Sequence, residues 1–324
     1  MSISGKSIAV LMGGWSSERE VSLVSGRAVA KALRDLGAHV HEVDVDRDIA
    51  EVLNALKPDV AFNALHGPWG EDGRIQAVLD ILDIPYTHSG VLASAVAMDK
   101  HKTKAILREF GVPLADDKLV NRHTAAKAHI MTPPYVIKPV AEGSSFGVFI
   151  IEDETLPPPQ EIAADGWTYG EDVLVEKFIP GKELSCAVLG DRPLAVTEIV
   201  PASGFYDFAA KYSDGGSAHV VPADIPEHVE RDILHFSTVA HRALGCAGLS
   251  RSDFRYDLVN DKLVLLEVNT QPGMTPASLA PEQAAHCGMD FQALVAWMTE
   301  DALGRHISSR RTQTDQKEKA PSEG

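Results

Sequence analysis

The sequence predicts an α/β chain that opens on a parallel, Rossmann-like sheet in residues 1–97 and continues as α+β. Three observations predict it. Up to residue 64, apolar strand patterns alternate with helical ones in the order βαβαβ, and strands joined by crossover helices lie parallel. After Met98 the parallel-sheet pattern ends and a new helix–strand order begins, with hairpin strands at Leu184–Leu189 and Leu194–Ile199. The stretch Arg251–Leu279 then holds two alternating runs around Val259-Asn260-Asp261-Lys262, a hairpin signal with an acidic face.

Ser7–Met12 is a continuous apolar run, as a strand buried on both faces requires, and Gly13-Gly14 turns the chain after it. Ser17 and Glu20 have capping-box spacing, which puts the N-cap of the next helix at Ser17. Val21, Val24, Ala28 and Ala32 recur at helical spacing, and Gly37 stops the helix. Ala38–Val45 and Asp59–Ala64 read as the second and third strands, with a short helix between them. A dinucleotide site is rejected here: the G-x-G-x-x-G pattern is absent, and Glu18 occupies the helix start, where a pyrophosphate needs positive potential. A carboxylate in that place either complements the helix dipole or meets a cation such as a substrate ammonium. Leu65–Gly73 follows the third strand with three glycines, His66 and Glu71-Asp72, at the strand end where open α/β sheets bind ligands.

Met98–Phe110 reads as a helix closed by Gly111 and opening a new domain. Tyr135–Pro139 is a strand that brings Lys138 inward. Glu142–Gly147 is a loop of small residues before the strand Val148–Ile151. Such a loop offers backbone N–H groups and two hydroxyls to a triphosphate, although it lacks P-loop spacing; the alternative is a flexible hairpin. Leu156–Pro159 and Asp165-Gly166 mark an exposed connection. Val173–Ile179 is a strand, turned by Pro180-Gly181 into Glu183 and a hairpin of Leu184–Leu189 and Leu194–Ile199. The irregular, aromatic-rich run Pro201–Ser217 reads as a lid or a packed Ω-loop. A helix Glu227–Leu244 precedes the acidic hairpin, and helices at Ala277–Cys287 and Phe291–Leu303 follow it. The polar tail Arg305–Gly324 reads as disordered.

Within the hairpin, Asp253 on the first run and Glu267 and Asn269 on the second offer two carboxylates and an amide. These are hard oxygen donors suited to Mg²⁺ or Mn²⁺. Register decides whether they share a face. A two-residue turn at Asn260-Asp261 sets Asp253 opposite Val268, on the wrong face. A three-residue loop Asn260–Lys262, or one bulge, sets Asp253 opposite Asn269 and diagonal to Glu267. It also gathers Phe254, Tyr256 and Leu258 with Val264, Leu266 and Val268. The alternative is an edge hairpin with a solvated acidic face.

Composition narrows the function. Net charge is −16, and the tail from Arg305 adds five basic to three acidic residues, so the body is more negative still. Such a surface does not invite nucleic acid or an anionic membrane. Three widely spaced cysteines, Cys186, Cys246 and Cys287, argue against a disulfide framework or zinc site and for a reducing cytoplasm. No apolar run approaches membrane-spanning length, and the N-terminus lacks a signal-peptide core.

Taken together, GGWSSEREVSL, ALHGPWGEDG, MDKHKTK, VIKPVAEGSSFG, VEKFIPGKE, FYDFAAKY, SRSDF and LLEVNTQPGMTPASL resemble the D-alanine–D-alanine ligase family, from residue 7 to about residue 300. The resemblance implies an ATP-grasp fold after the Rossmann-like domain: a central lobe over 98–180, a C-terminal lobe over 181–304 and a tail over 305–324. It implies ATP-dependent joining of two D-alanine molecules through a D-alanyl phosphate, for peptidoglycan precursor synthesis in the cytoplasm, by a homodimer. Under it, Lys100 and Lys138 contact the ATP phosphates, Ser145 lies in the covering loop, Glu176, Lys177, Phe178 and Ile179 line the adenine pocket, and Glu183 holds the ribose. Asp253, Glu267 and Asn269 match ligands of Mg²⁺ or Mn²⁺, two ions per site. Glu18 and His66 sit by the first D-alanine, and Ser144 and Tyr212 join Glu18 in a hydrogen-bonded set. Lys211 and Ser278, with Leu279, bind the second D-alanine, Tyr206 belongs to the lid, and Arg251 and the Gly273 N–H stabilise the transition state. Pro276 and Ala277 fall in a variable part of the pattern, and the tail has no family counterpart. Rival readings are a D-alanine–D-lactate ligase, against which Tyr212 speaks under the same resemblance, and a nucleotide-binding regulator without catalysis.

Overall fold

The computed structural model describes residues 2–201 and 216–319, with side chains described through Ser309. Ser7–Met12 (β1) is the centre of a three-stranded sheet, with His39–Asp44 (β2) and Val60–Asn63 (β3) parallel on either side. Arg19–Asp35 (α1) and Ile49–Leu56 (α2) are the crossovers. Ile8, Val10 and Phe62 pack with Val29 and Leu33 in one core, and Ala9, Leu11 and Ala61 pack with Leu53 and Leu79 in another. Burial on both faces is the reason the β1 run has no polar break after Ser7. Gly37, at φ 84°, takes the left-handed position just past α1 that stops a helix.

The start of α1 departs from the capping box. Glu18, not Ser17, is the N-cap residue, and its side chain makes no cap bond. Its backbone N–H donates to Ser16 Oγ at 3.2 Å instead. The Glu18 carboxylate is thereby available to a group outside its own helix.

Arg74–Ile81 (α3) follows the glycine-rich loop. Val91–Met98 (α4) and Lys100–Glu109 (α5) then meet at Asp99, which caps α5 by accepting from the Lys102 N–H. A four-stranded antiparallel sheet comes next, in the order β4-β7-β5-β6: Asp117–Asn121 (β4), Tyr135–Pro139 (β5), Phe149–Ile151 (β6) and Asp172–Lys177 (β7). Arg122–Lys127 (α6) closes its core through Ala125 and Ala126 against Tyr135, Ile137 and Val173.

The third sheet is also antiparallel, in the order β10-β9-β8-β11-β12: Lys182–Leu189 (β8), Arg192–Pro201 (β9), Ser217–Val220 (β10), Leu249–Asp257 (β11) and Lys262–Asn269 (β12). Glu227–Ala243 (α7) buries Val229, Ile233 and Ala240 against Leu184, Cys186 and Phe254. Gly181 links the second and third sheets at φ 100°. A Cβ there would stand 2.1 Å from the Tyr256 carbonyl oxygen, so only glycine lets this turn press against the hairpin.

The hairpin register corrects the expected one in two ways. Asp253 pairs with Glu267, and Arg251, not Asp253, faces Asn269. A one-residue shift then intervenes, because Phe254 pairs with Leu265 and leaves Leu266 as the extra residue. The shift turns Val264 and Leu266 away from Phe254 and Tyr256. Those two aromatics join the core of α7 with Leu265 and Val268, while Val264 and Leu266 pack with Ala115 and Ile179. Leu258 lies in the turn and is exposed, not in the core.

Leu279–His286 (α8) is shorter than expected at its start, and Phe291–Lys319 (α9) is longer than expected at its end. The chain beyond Arg305 therefore does not begin as a disordered tail. Arg305 binds Asp301 at 2.7 Å and donates to the carbonyls of Tyr86 and His88, and His306 stands 3.3 Å from Asp83. Extending a helix already packed through Leu294, Val295 and Met298 costs little, and Arg, Gln, Lys and Glu are good helix formers. Residues 320–324 lie outside the described residues.

Candidate active site

One face of the third sheet carries the acidic site. Arg251, Asp253 and Arg255 alternate along β11, opposite Ala187, Ser185 and Glu183 of β8. Two of these pairs bond directly: Ser185 Oγ donates to Asp253 Oδ1 at 2.7 Å, and Arg255 Nη1 donates to Glu183 Oε2 at 3.2 Å. Arg251 grips Asp253 with two donors, Nε at 2.9 Å and Nη2 at 2.8 Å, the fork geometry of a guanidinium on a carboxylate. On β12, Glu267 lies 3.3 Å from Lys100 Nζ, and Asn269 Oδ1 accepts the Gln271 N–H at 2.7 Å. Asp253, Glu267 and Asn269 thus share a face, as the sequence requires of a ligand set, though by a different register. Among the described residues no group of three or more His, Cys, Asp or Glu gathers to hold a metal. Two carboxylates and an amide fit a cation that completes its shell with water and phosphate oxygens.

Two cavities open on this face. The smaller, of about 120 Å³, is lined by Lys138, Ser145, Glu176, Lys177, Phe178, Ile179, Glu183 and Asp253 among others. Arg255 spans its floor, donating from Nε to the Ile179 carbonyl at 3.1 Å and lying 5.5 Å over the Phe178 ring. Lys138 and Lys104 both meet the buried Glu176 carboxylate, one at each oxygen. Burial, with Lys104 and Lys100 nearby, holds Lys138 well below the ordinary lysine range.

The larger cavity, of about 660 Å³, is lined by Glu18, His66, Ser144, Arg251, Asn269, Gly273, Ser278 and Leu279 among others. Ser144 Oγ donates to Glu18 Oε2 at 2.8 Å, tying the small-residue loop to the start of α1. His66 is held from both sides, with Nδ1 3.3 Å from Glu71 and Nε2 3.1 Å from Ser25 Oγ. Ser278 Oγ stands 2.8 Å from Thr275 Oγ1 and accepts the Thr275 N–H at 3.1 Å. A Cβ on Gly273 would stand 3.0 Å from that same hydroxyl, so the bare backbone is what fits beside it.

Lys100, Glu142, Gly143 and Glu267 line both cavities. Lys100 Nζ donates to the Glu142 carbonyl at 2.6 Å and faces Glu267, so a cation and a carboxylate stand on the shared wall. Burial raises the Glu142 carboxyl above its usual range.

All the described site residues expected from the sequence line one cavity or the other. Tyr206, Lys211 and Tyr212 lie outside the described residues. Sequence reasoning missed Ser25, Ser185, Arg255 and Lys104. Period-two alternation from Asp253 marks Arg255 as a member of the same face. Ser25 and Lys104 lie in helices with many other polar residues, and Ser185 is one serine in a largely apolar strand, so none of them carries such a signal.

Comparison with known proteins extends the likeness beyond the site. A family model described as the C-terminus of D-ala D-ala ligase matches residues 106–300, and one described as its N-terminus matches residues 48–89. A D-alanine–D-alanine ligase of Caulobacter vibrioides is 59% identical over 307 residues, covering 94% of this chain and 95% of that protein. One of Methylorubrum populi is 60% identical over 301 residues, covering 92% of this chain and 98% of that protein. The crystal structure of the Bacillus anthracis ligase complexed with ATP aligns with a TM-score of 0.78 at 29% identity, over 94% of this chain and 99% of that one. The three sheets are therefore those of an ATP-grasp enzyme with its N-terminal domain. With nearly six residues in ten shared along almost the whole of both proteins, this chain belongs to the D-alanine–D-alanine ligase family.

Proposed function

We propose that the protein joins two molecules of D-alanine into D-alanyl-D-alanine, using ATP and releasing ADP and phosphate, for peptidoglycan precursor synthesis. The observation that carries this reading is the shared wall at Lys100 and Glu267. A nucleotide in the smaller cavity would aim its terminal phosphate at an amino acid in the larger one.

The residues then take roles by position. Phe178 and Ile179 flank the adenine, with Glu176 and Lys177 beside them, and Glu183, oriented by Arg255, faces the ribose. Lys100 and Lys138 neutralise the phosphates, and Ser145 belongs to the loop that covers them. Glu18, oriented by Ser144, receives the ammonium of the first D-alanine, with His66 beside it. The carboxylate of that substrate attacks the γ-phosphorus, giving an acyl phosphate and ADP. The amine of the second D-alanine then attacks the acyl carbon. Arg251 and the Gly273 N–H face the oxyanion that forms, phosphate leaves, and Ser278 with Leu279 holds the second substrate. Lys211 and Tyr212 are proposed partners of the second carboxylate and of Glu18, and Tyr206 of a lid that keeps water from the acyl phosphate. Asp253, Glu267 and Asn269 would hold Mg²⁺ or Mn²⁺, two ions in all, which when bound neutralise developing phosphate charge.

We place the domain boundaries at 97 and 180 and the protein in the cytoplasm as a homodimer. Three free cysteines support a reducing compartment, and no described helix is long and apolar enough to cross a membrane.

The test is phosphate release that depends on D-alanine, with D-alanyl-D-alanine as product. Formation of D-alanyl-D-lactate alone, when D-lactate and D-alanine are both offered at neutral pH, refutes the choice of acceptor. A narrower prediction concerns Glu18. Glu18→Gln keeps the bond from Ser144 but removes the charge, so the Michaelis constant for D-alanine should rise about tenfold or more, with that for ATP unchanged. An unchanged constant for D-alanine returns Glu18 to the role of complementing the helix dipole.

A further inference from the structure

Lys104 is fully buried on α5, one helical turn beyond Lys100, and lies outside the lining of both cavities. An ammonium is almost never taken wholly out of water unless a partner holds it. Its partner is Glu176 Oε1, while Glu176 Oε2 meets Lys138. The carboxylate is itself buried, at 3% exposure, so these three groups must settle their charges largely among themselves.

Glu176 and Lys138 alone would cancel, and Lys138 would have to leave a buried carboxylate unmatched in order to meet a phosphate. With Lys104 present, each carboxylate oxygen has its own lysine partner. Lys138 lines the smaller cavity beside Glu176, whereas Lys104 lies outside that lining. Burial, with Arg108 and Lys100 nearby, brings the Lys104 ammonium down to about 7, and the Glu176 carboxylate lies directly against it.

We propose that Lys104 is a positioning residue for the nucleotide: it balances Glu176 from behind and so frees the Lys138 ammonium for the phosphates. The proposal rests on the reading of the smaller cavity as the nucleotide site.

The experiment is a double-mutant cycle with Lys104→Met, Glu176→Gln and the two combined, with Lys138→Met and Lys104→Arg alongside. ADP binding is measured by calorimetry, and the Michaelis constants for ATP and D-alanine by steady-state kinetics. Lys104→Met should weaken ADP binding about tenfold or more and raise the constant for ATP, while the constant for D-alanine stays within about twofold. Lys104→Arg should recover most of the loss. Adding Lys104→Met to Glu176→Gln should cost no more than about twofold, because the carboxylate to be balanced is gone.

Wild-type ADP affinity in Lys104→Met, with affinity lost in Lys138→Met, overturns the proposal and leaves the nucleotide site standing. Wild-type affinity in Lys138→Met overturns the nucleotide reading itself. If Lys104→Met does not fold, the comparison of Glu176→Gln with the double variant still decides. A tenfold difference there means that Lys104 acts on the nucleotide without Glu176, which refutes the positioning role.

Discussion

Arg251→Met is expected to lower kcat by about 10²–10³-fold, the usual cost of removing an oxyanion donor. The guanidinium lines the larger cavity along with Gly273 and stands directly across the hairpin from Asn269. Its Nε and Nη2 both donate to Asp253, which fixes the plane of the fork within the cavity lining. Because the contact proposed for Arg251 is made in the transition state, the Michaelis constant for ATP should change far less than kcat. Arg251→Lys keeps the charge and loses the fork, so it should recover only part of the rate. Arg251→Met turning over at the wild-type rate would remove the residue from the chemistry.

Asp253→Asn should be nearly as severe. The amide has the shape of the carboxylate, so Ser185 can still donate to one oxygen and the fold should hold. It cannot accept both donors of Arg251, and it is a weaker ligand for a hard cation. Loss of an outer partner of a metal site costs roughly 10–100-fold, and loss of a ligand should cost at least as much. Turnover at low Mg²⁺ should fall by that factor and be partly restored at high Mg²⁺, with a matching shift in a calorimetric Mg²⁺ titration in the presence of ADP. An unaltered Mg²⁺ dependence would take Asp253 out of the ligand set.

Much of this architecture was legible in the amino-acid order. The βαβαβ run gave a parallel sheet because strands buried on both faces leave an uninterrupted apolar signature. The common face of Asp253, Glu267 and Asn269 followed from period-two alternation. What alternation could not reveal is where it breaks. Leu266 resembles its apolar neighbours, so nothing local marks it as the extra residue, and the expected core of the outer hairpin came out on the wrong face. Helix ends were obscure for a related reason. Ser17 has the chemistry of a cap, but the turn after Gly14 places Glu18 there. The later part of α9 is polar, and its anchorage at Tyr86, His88 and Asp83 depends on tertiary contacts that the local pattern does not show.

The extra residue at Leu266 also separates two duties that share one ribbon. On one side of it, changes at 262–265 alter the packing toward α7 and toward Ile179 while Glu267 and Asn269 keep their aim. On the other, Glu267 and Asn269 stay in the lining of the larger cavity. The bulge is therefore a joint between the end that carries Glu267 and Asn269 and the packed outer part of the hairpin.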